Sequence, residues 1–336
     1  MKILVTGIAG FIGMHVGAKL LLMNHDVFGL DNLNDYYDVN LKLQRIEYLK
    51  KLKKKFFFLK RDISEVNTIK KIFSNEKFDL VIHLAAQAGV RYSISNPQTY
   101  VKANLNGFLN ILEGCRNTHV KHLVYASSSS VYGLNEGVPF TEDSNTDHPK
   151  SLYAATKKSN ELMAHSYADL YKLPVTGLRF FTVYGPWGRP DMALFLFTKA
   201  IFSGRQINLY NNGNMRRDFT YIDDISEALI KLIFKPAKGS KIFDKKKPNT
   251  GMSSAPYKLF NIGNSNPVTL KTYIKHLENS IGKKAKINLM PMQMGDVKYT
   301  HSNNDALKRY INFKPNTNVK EGIYKFISWY KSYYNV

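Results

Sequence analysis

The first half of the chain alternates between two patterns of apolar residues. Short apolar runs predict buried β-strands, at 3–5, 25–32, 56–59, 80–83 and 122–126. Between the runs, apolar residues recur every three or four positions, which predicts amphipathic helices such as those at 66–73 and 100–116. A regular alternation of strands and helices predicts an α/β protein with a doubly wound parallel sheet.

The pattern loosens in the second half and predicts a smaller C-terminal α/β lobe. Predicted helices lie at 194–202, 224–234, 270–281 and 319–333, and predicted strands at 216–222 and 257–262. We expect the strand at 216–222 to return to the main sheet. The chain would then divide into residues 1–183, with a returning segment near 216–234, and residues 184–336.

Three glycines follow the first predicted strand with the spacing G-x-x-G-x-x-G, and a helical pattern begins at Phe11. In such a strand–turn–helix unit, Gly7 allows the turn, Gly10 lets the backbone approach a pyrophosphate, and Gly13 lets the helix pack on the strand. The phosphates then lie at the positive end of the helix. The predicted cofactor contacts of this turn are Gly7, Ala9, Gly10, Phe11, Ile12 and Gly13.

Asp31, at the end of the second predicted strand, indicates which dinucleotide binds. It follows Gly7 at close to the offset of about 20 residues at which a carboxylate accepts hydrogen bonds from the adenosine ribose. A ribose 2′-phosphate would meet this carboxylate as a like charge, and Asn32 stands where an arginine would receive it. We therefore predict NAD, the alternative being a glycine turn in another kind of doubly wound protein.

Composition and charge narrow the class of protein. No apolar run of the 336 residues approaches the length of about 18 that a membrane span requires, and the N-terminus lacks the pattern of a signal peptide. Cys115 is the only cysteine, which is typical of the cytoplasm. The net charge of +22 lies largely in lysine runs such as 50–55, without a nucleic-acid motif or a metal-ligand set. We expect a lysine-rich surface that attracts anionic ligands, and no nucleic-acid partner.

Candidate cofactor contacts also follow the third and fourth predicted strands. Asp62 and Ile63 suit an adenine, with the equal alternative that Asp62 or Ser64 caps the next helix. Small residues after the fourth strand let a ribose and phosphates approach the backbone at Leu84, Ala85, Ala86 and Gln87. Asn104 lies amid apolar helical positions and is either a surface residue or faces the sheet, where it would hold a catalytic lysine through water.

The chemistry is predicted after the fifth strand, at the edge where open α/β sheets bind ligands. A run of serines occupies 127–130, and the next predicted helix carries Tyr153 and Lys157, which share one face because they are four residues apart. A nearby positive charge stabilises a phenolate, so Tyr153, with a usual pKa near about 10, can act as a base at neutral pH.

Taken together, these motifs resemble the extended short-chain dehydrogenases/reductases that act on nucleotide sugars. The resemblance is carried by the glycine turn, Asp31, Asp62-Ile63, Leu84-Ala85-Ala86, Asn104, the serine run, Tyr153-x-x-x-Lys157 and Arg179-x-x-Thr182-Val183-Tyr184-Gly185-Pro186. Segments 34–38, 86–93, 188–193 and 291–297 are similar to UDP-glucuronate 4-epimerases in particular, except that Met294 stands where that family commonly has proline. The resemblance implies a Rossmann-type domain that binds NAD and a lobe that binds a UDP-sugar. Residues 236–256, rich in Lys, Pro, Gly and Ser, either cover the nucleotide or are plain surface.

The resemblance implies a role for each site residue. Ser128 holds the sugar 4-hydroxyl, Tyr153 takes its proton, and Lys157 grips the nicotinamide ribose and lowers the pKa of the tyrosine. Arg189 binds the sugar carboxylate, unless it folds back on the surface to pair with Asp191. Since Gln293 replaces an arginine of galactose-type epimerases, the diphosphate depends more on Arg217, and Asp296 binds the uridine ribose. The implied substrate contacts are Arg91, Ser128, Ser129, Ser130, Thr182, Arg189, Arg217 and Asp296.

The serine run also discriminates among the reactions of this superfamily. The 4,6-dehydratases carry Asp-Glu, and the decarboxylases a glutamate, where this chain has Ser129 and Ser130. The resemblance therefore implies an NAD-dependent 4-epimerase that interconverts UDP-glucuronate and UDP-galacturonate through a 4-keto sugar. It further implies a homodimer joined through the helices that bear Asn104 and Tyr153. The alternatives are a UDP-glucose or UDP-N-acetylglucosamine 4-epimerase, a UDP-glucuronate decarboxylase and a non-catalytic NAD-binding regulator.

Overall fold

The computed structural model describes residues 1–336. The strands are β1 (Lys2–Thr6), β2 (Asp26–Asp31), β3 (Phe56–Lys60), β4 (Leu80–His83), β5 (His122–Ser128), β6 (Val175–Phe180), β7 (Thr182–Tyr184), β8 (Gln206–Leu209), β9 (Arg216–Arg217), β10 (Phe219–Tyr221), β11 (Tyr257–Ile262), β12 (Val268–Thr269) and β13 (Lys286–Leu289). The α-helices are α1 (Phe11–Leu22), α2 (Val39–Lys51), α3 (Val66–Glu76), α4 (Tyr92–Ser95), α5 (Pro97–Tyr100), α6 (Gly107–Asn117), α7 (Leu152–Tyr171), α8 (Ala193–Phe202), α9 (Ile222–Ile233), α10 (Leu270–Ile281), α11 (Asp305–Ile311) and α12 (Val319–Tyr334).

A seven-stranded parallel sheet forms the centre of the molecule, with the strand order β11-β6-β5-β4-β1-β2-β3. Strand β1 lies between β2 and β4, so the order of the strands reverses beside it. The predicted doubly wound fold is confirmed. At such a reversal the loops that leave the two neighbouring strands diverge, and a crevice opens at the carboxyl edge of the sheet.

Both faces of the sheet are covered, which explains why its strands are continuously apolar. Ile3 and Val5 of β1 lie in one apolar cluster together with residues of α1 and α9, whereas Leu4 lies in the cluster on the opposite face together with residues of α3 and α6. All three side chains are fully buried. Alternate side chains of the strand therefore pack against the helices on opposite faces of the sheet.

The predicted return of 216–222 to the main sheet is wrong. Strand β10 pairs with β7 in a separate two-stranded sheet, and β9 pairs antiparallel with β12. The edge position beside β6 is taken by β11 over six residues. The reason is polarity: β11 is largely apolar and can be buried, whereas 216–218 reads Arg-Arg-Asp, whose charges would have to be desolvated between two helical layers. The segment returns instead through α9, which packs on α1.

The C-terminal lobe has an apolar cluster of its own, built mainly by α8, α10 and α12. Residues 236–256 connect α9 to β11 without an α-helix. None of them lines the cavity described below, so they do not cover a ligand there. No helix has the length and apolar character that crossing a membrane requires.

Candidate functional site

A cavity of about 940 Å³ lies at the carboxyl edge of the sheet, between the sheet and the C-terminal lobe. Every residue that the sequence predicted to contact cofactor or substrate lines this cavity, except Ala9 and Asn104. The residues are far apart in sequence: they lie at the carboxyl ends of β1 to β5, on helix α7, and in segments of the chain from β7 onward. The fold therefore brings the predicted cofactor and substrate contacts into one continuous space.

The glycine turn has the conformation that its sequence predicts. Gly7 has a φ of +72°, and a Cβ atom there would lie 2.7 Å from the backbone nitrogen of Ala85. A Cβ atom at Gly13 would overlap the carbonyl oxygen of Gly7, and one at Gly10 would lie 2.9 Å from the same oxygen. Helix α1 begins directly after Gly10, so its free N–H groups face the cavity. This turn fits the pyrophosphate of a dinucleotide.

Asp31 fixes the backbone beside the turn. Its Oδ2 accepts a hydrogen bond from the N–H of Ala9 at 3.1 Å, and its Oδ1 accepts one from the N–H of Leu33 at 2.9 Å. Burial raises the pKa of Asp31, while these two hydrogen bonds act in the opposite direction. Ala9 therefore contributes through its backbone behind the turn, although it does not line the cavity.

Asp62 does not cap the following helix. Its Oδ1 accepts hydrogen bonds from the N–H and the hydroxyl of Ser64, at 2.9 and 2.8 Å, and its Oδ2 accepts one from Asn32 at 3.2 Å. Helix α3 begins later, at Val66, with Glu65 in the capping position. Burial acts to raise the pKa of Asp62, but the hydrogen bonds from Ser64 and Asn32 and the charge of Lys102 together outweigh it, and the pKa is lowered. Ile63 lies beside Asp62 and is largely buried in the core.

Asn104 is a buried residue, 1% exposed, so its interpretation as a surface residue is wrong. It lies in a π-helical segment, Val101–Asn106, which interrupts the helix predicted at 100–116. Its Oδ1 accepts from the N–H of Gln87 at 2.8 Å, and its Nδ2 donates to the Gln87 carbonyl and the Thr156 hydroxyl, each at 3.0 Å. Asn104 thus ties the loop after β4 to helix α7, beside Tyr153.

The serine run and Tyr153 meet at the centre of the cavity. The N–H and hydroxyl of Ser130 both donate to the Ser128 hydroxyl oxygen, at 3.2 and 2.8 Å, which orients Ser128. Burial raises the pKa of Tyr153, while the Ser128 hydroxyl and the positive charge of Arg189 act to lower it. In its phenolate form, Tyr153 beside the Ser128 hydroxyl can receive a proton from a sugar hydroxyl that both side chains hold.

Lys157 lies on the same helix as Tyr153, and the expectation that it lowers the pKa of that tyrosine stays a prediction. Its Nζ donates to the carbonyl of Ala126 at 2.9 Å, and the side chain is 2% exposed. Burial lowers the pKa of Lys157 to about 8, against the opposing effect of Glu161. The ammonium group of Lys157 therefore lies near the end of β5, within the lining of the cavity.

Arg189 was predicted either to face the sugar or to pair with Asp191 on the surface, and the structure shows features of both. Its Nε and Nη2 donate to the two carboxylate oxygens of Asp191, at 3.0 and 2.6 Å, as the surface alternative predicted. Both residues nevertheless line the cavity, and the Tyr36 hydroxyl donates to the same carboxylate at 3.1 Å. The arginine is held toward the cavity, with one edge of its guanidinium group occupied by Asp191.

The remaining predicted substrate contacts are a hydrogen-bonded pair, an exposed arginine and two residues with hydroxyl groups. Arg217 donates to the Asp296 carboxylate at 3.0 Å and to the carbonyl of Lys298 at 3.1 Å. Two residues predicted to bind different parts of a nucleotide are therefore bonded to each other. Arg91 is exposed and stacks over the Tyr210 ring at 5.4 Å, whereas Thr182 and Ser129 line the cavity with free hydroxyl groups.

Comparison with known proteins agrees with this geometry. The model of the NAD dependent epimerase/dehydratase family matches residues 3–251. The chain belongs to this family. Protein CapI of Staphylococcus aureus is 54% identical to this chain, and the match covers 99% of each protein. A probable UDP-glucuronate 4-epimerase of Rhizobium meliloti is 46% identical, and the match covers 99% of this chain and 98% of that protein. The crystal structure of a Bacillus cereus UDP-glucuronic acid 4-epimerase with UDP-glucuronic acid and NAD has a TM-score of 0.87 at 32% identity, covering 99% of this chain and 100% of that one.

Membership of the NAD dependent epimerase/dehydratase family confirms the predicted resemblance and NAD as the cofactor. The glycine turn fits this cofactor, and its close backbone packing requires glycine, because side chains at Gly7 and Gly13 would collide with neighbouring backbone. Residues 7–13 and Asp31 are thus suited to hold the pyrophosphate and the adenosine ribose of NAD.

Sequence reasoning missed a buried ion pair beneath the site of this epimerase/dehydratase. Glu161 accepts two hydrogen bonds from Arg179, both at 2.9 Å, and one from the Ser127 hydroxyl at 2.6 Å. Arg179 also donates to the Tyr132 hydroxyl at 3.1 Å. The pair anchors the start of the serine run to α7. Glu161 lies four residues after Lys157, on the same helix face, which was a usable signal.

A second missed residue is Arg45 on α2, which is fully buried. It lies four residues from both Leu41 and Leu49, on the apolar face of the helix. A charged residue at a core position of an amphipathic pattern was the available signal.

Proposed function

We propose that the chain is an NAD-dependent 4-epimerase that interconverts UDP-glucuronate and UDP-galacturonate. The observation that carries the proposal is the convergence of Tyr153, Ser128 and Arg189 on the cavity that also contains the glycine turn. A base, a hydroxyl-binding group and a cation are the groups needed to oxidise C4 of a sugar that carries a carboxylate.

Each side chain has a task that follows from its contacts. Ser128, oriented by Ser130, holds the sugar 4-hydroxyl, and Tyr153 takes the hydroxyl proton and later returns it. Bound NAD supplies a reversible hydride acceptor with a positive ring, which favours the phenolate form of Tyr153. Lys157, placed at the end of β5, binds the nicotinamide ribose.

The sugar carboxylate is assigned to Arg189, Thr182 and the serines 128–130. A 4-keto uronate is a β-keto acid and loses CO₂ readily, so the enzyme must hold the carboxylate where this loss is disfavoured. Four carboxylates line the cavity, and each accepts hydrogen bonds from protein groups: Asp31, Asp62, Asp191 and Asp296. None of the four stands in the serine run, where the dehydratases and decarboxylases carry their acidic residues, which supports the epimerase.

The same proposal states which part of the chain binds each ligand and how two copies of the chain form a dimer. Residues 1–183, extended by α9 and β11, bind NAD and also supply the sugar contacts Arg91, the serines 128–130 and Thr182. The part from 184 onward supplies the UDP-sugar contacts Arg189, Arg217 and Asp296, and its Tyr210 lies opposite Arg91. A homodimer forms through the helices that bear Asn104 and Tyr153. The π-helical segment with Asn104 continues into α6, which packs on α7, and Leu109 of α6 and Leu162 of α7 are 41% and 61% exposed. We place the enzyme in the cytoplasm, as its single buried cysteine supports.

Incubation of the purified protein with NAD and a panel of UDP-sugars tests the proposal. We expect UDP-galacturonate from UDP-glucuronate and little turnover of UDP-glucose or UDP-N-acetylglucosamine. Faster turnover of a neutral UDP-hexose would indicate the alternative 4-epimerase, and release of a UDP-pentose with CO₂ would indicate a decarboxylase. NAD binding without turnover of any sugar would indicate a regulator.

A further inference from the structure

Arg45 makes a set of contacts that its place in the core does not require. Its side chain is fully buried, and Nη1 donates to the carbonyl of Ala9 at 2.9 Å and to the Tyr37 hydroxyl at 2.7 Å. Nη2 donates to the carbonyls of Trp187 and Gly188, at 2.6 and 3.0 Å. None of the ion pairs in the structure involves Arg45.

A buried guanidinium without a carboxylate is costly, since its charge loses hydration and only carbonyl dipoles, a hydroxyl and the face of the Tyr37 ring replace it. An apolar residue would fill the same volume without this cost. What arginine provides at this place is a rigid, planar set of donors that can bond several acceptors at once.

The acceptors of Arg45 show what this set of donors connects. Ala9 lies within the glycine turn, where Asp31 already holds its N–H group. Gly188 directly precedes Arg189, and Trp187 before it has a φ of +62°, which is uncommon for a residue with a side chain and needs support from its surroundings. One side chain thus bonds the turn that faces the pyrophosphate and the loop that carries the arginine facing the sugar.

We infer that Arg45 is a positioning residue that couples the NAD site to the site for the sugar carboxylate by fixing the glycine turn and the 187–189 loop relative to each other. The inference rests on the proposed function, because it takes Arg189 as the carboxylate-binding group. The buried charge also lies behind the turn that receives the pyrophosphate, where a positive potential favours an anionic cofactor.

The test replaces Arg45 by glutamine in a Tyr153→Phe background, in which binding is measured without turnover. We expect the Kd for NAD on nucleotide-free protein and the Kd for UDP-glucuronate on NAD-saturated protein each to rise by about tenfold or more, as for the loss of charge-assisted hydrogen bonds. Arg205→Gln is the matched control, since Arg205 is exposed and its Nε donates to Ser203. It should change neither constant.

A double variant separates positioning from general destabilisation. In an Arg189→Ala background, Arg45→Gln should no longer weaken UDP-glucuronate binding, while its effect on NAD binding persists. Additive losses of UDP-glucuronate affinity, or wild-type affinities for both ligands in Arg45→Gln, would overturn the inference. If the glutamine variant does not fold, Arg45→Lys carries the same test, because one ammonium group cannot reach all the carbonyls. Failure of the parent protein to bind UDP-glucuronate would instead contradict the proposed function.

Discussion

Arg189 and Asp191 face each other through two parallel hydrogen bonds, from Nε to Oδ1 at 3.0 Å and from Nη2 to Oδ2 at 2.6 Å. The pair lines the cavity, and Tyr36 donates a further hydrogen bond to Asp191. Because only one edge of the guanidinium group is engaged, the remaining N–H groups can bind a substrate carboxylate. The carboxylate of Asp191 thus orients Arg189 without exhausting its donors.

Arg189→Ala should lower kcat/KM for UDP-glucuronate by roughly ten to a few hundred-fold, since one charge-assisted pair in a partly dry site contributes a few kcal/mol. Any side activity on UDP-glucose, which lacks the carboxylate, should be spared. Steady-state kinetics with both sugars measure the difference, with Arg205→Ala as an exposed control. An equal loss on both sugars would mean that Arg189 supports the loop or the diphosphate.

Tyr153→Phe should lower kcat by at least about a hundredfold while leaving the affinities for NAD and the UDP-sugar unchanged, because only the ionisable hydroxyl is removed. Tyr324→Phe, on the exposed face of α12, is the control for the same chemical change. Product formation and ligand titrations on the same samples give the two readouts. A rate above about one hundredth of the wild type would remove Tyr153 as the base.

Asp31 should make the protein prefer NAD to NADP, because its carboxylate lines the cavity and would meet the 2′-phosphate as a like charge. Asp31→Asn should narrow the difference between the two affinities. Asp26→Asn, at the opposite end of β2, should leave it unchanged. Titration of nucleotide-free protein with NAD and with NADP measures the two affinities. Equal affinities in the wild type would refute the role of Asp31 in selecting NAD.

The unfolding free energy should fall as the pH drops from about 6.5 toward 4. Burial lowers the pKa of His122 to about 4 and that of His83 to about 3, so both stay neutral in the folded protein while the unfolded chain binds protons. Each contributes a slope of about 1.4 kcal/mol per pH unit within this window. Denaturant titrations should show that His122→Gln reduces the slope, whereas exposed His119→Gln does not. An unchanged slope in His122→Gln would contradict the assignment.

The fold was predictable from sequence where a segment signals its own environment. The apolar run of β1 and the glycines after it predict a strand, a turn and a helix that need no knowledge of distant residues. The prediction that 216–222 joins the main sheet was wrong because several strands can compete for one edge of a sheet. The apolar strand β11 occupies the edge beside β6 instead.

The sequence indicates which residues line the site, but it does not indicate which hydrogen bonds these residues make. The spacing of Tyr153 and Lys157 indicates a shared helix face, but only the three-dimensional structure shows that Lys157 donates to Ala126. Likewise, Arg217 and Asp296 are 79 positions apart, and no local pattern indicates that they pair. Arg45 escaped notice for the same reason, since its acceptors lie on two distant loops.

The most direct test of the account uses UDP-glucuronate labelled with deuterium at C4, incubated with the protein and NAD without added reductant. Removal and return of one hydride predicts UDP-galacturonate that retains deuterium at C4, with no lasting rise in absorbance from NADH. Loss of the label to water would contradict the hydride mechanism. Steady accumulation of NADH would show a dehydrogenase instead of an epimerase.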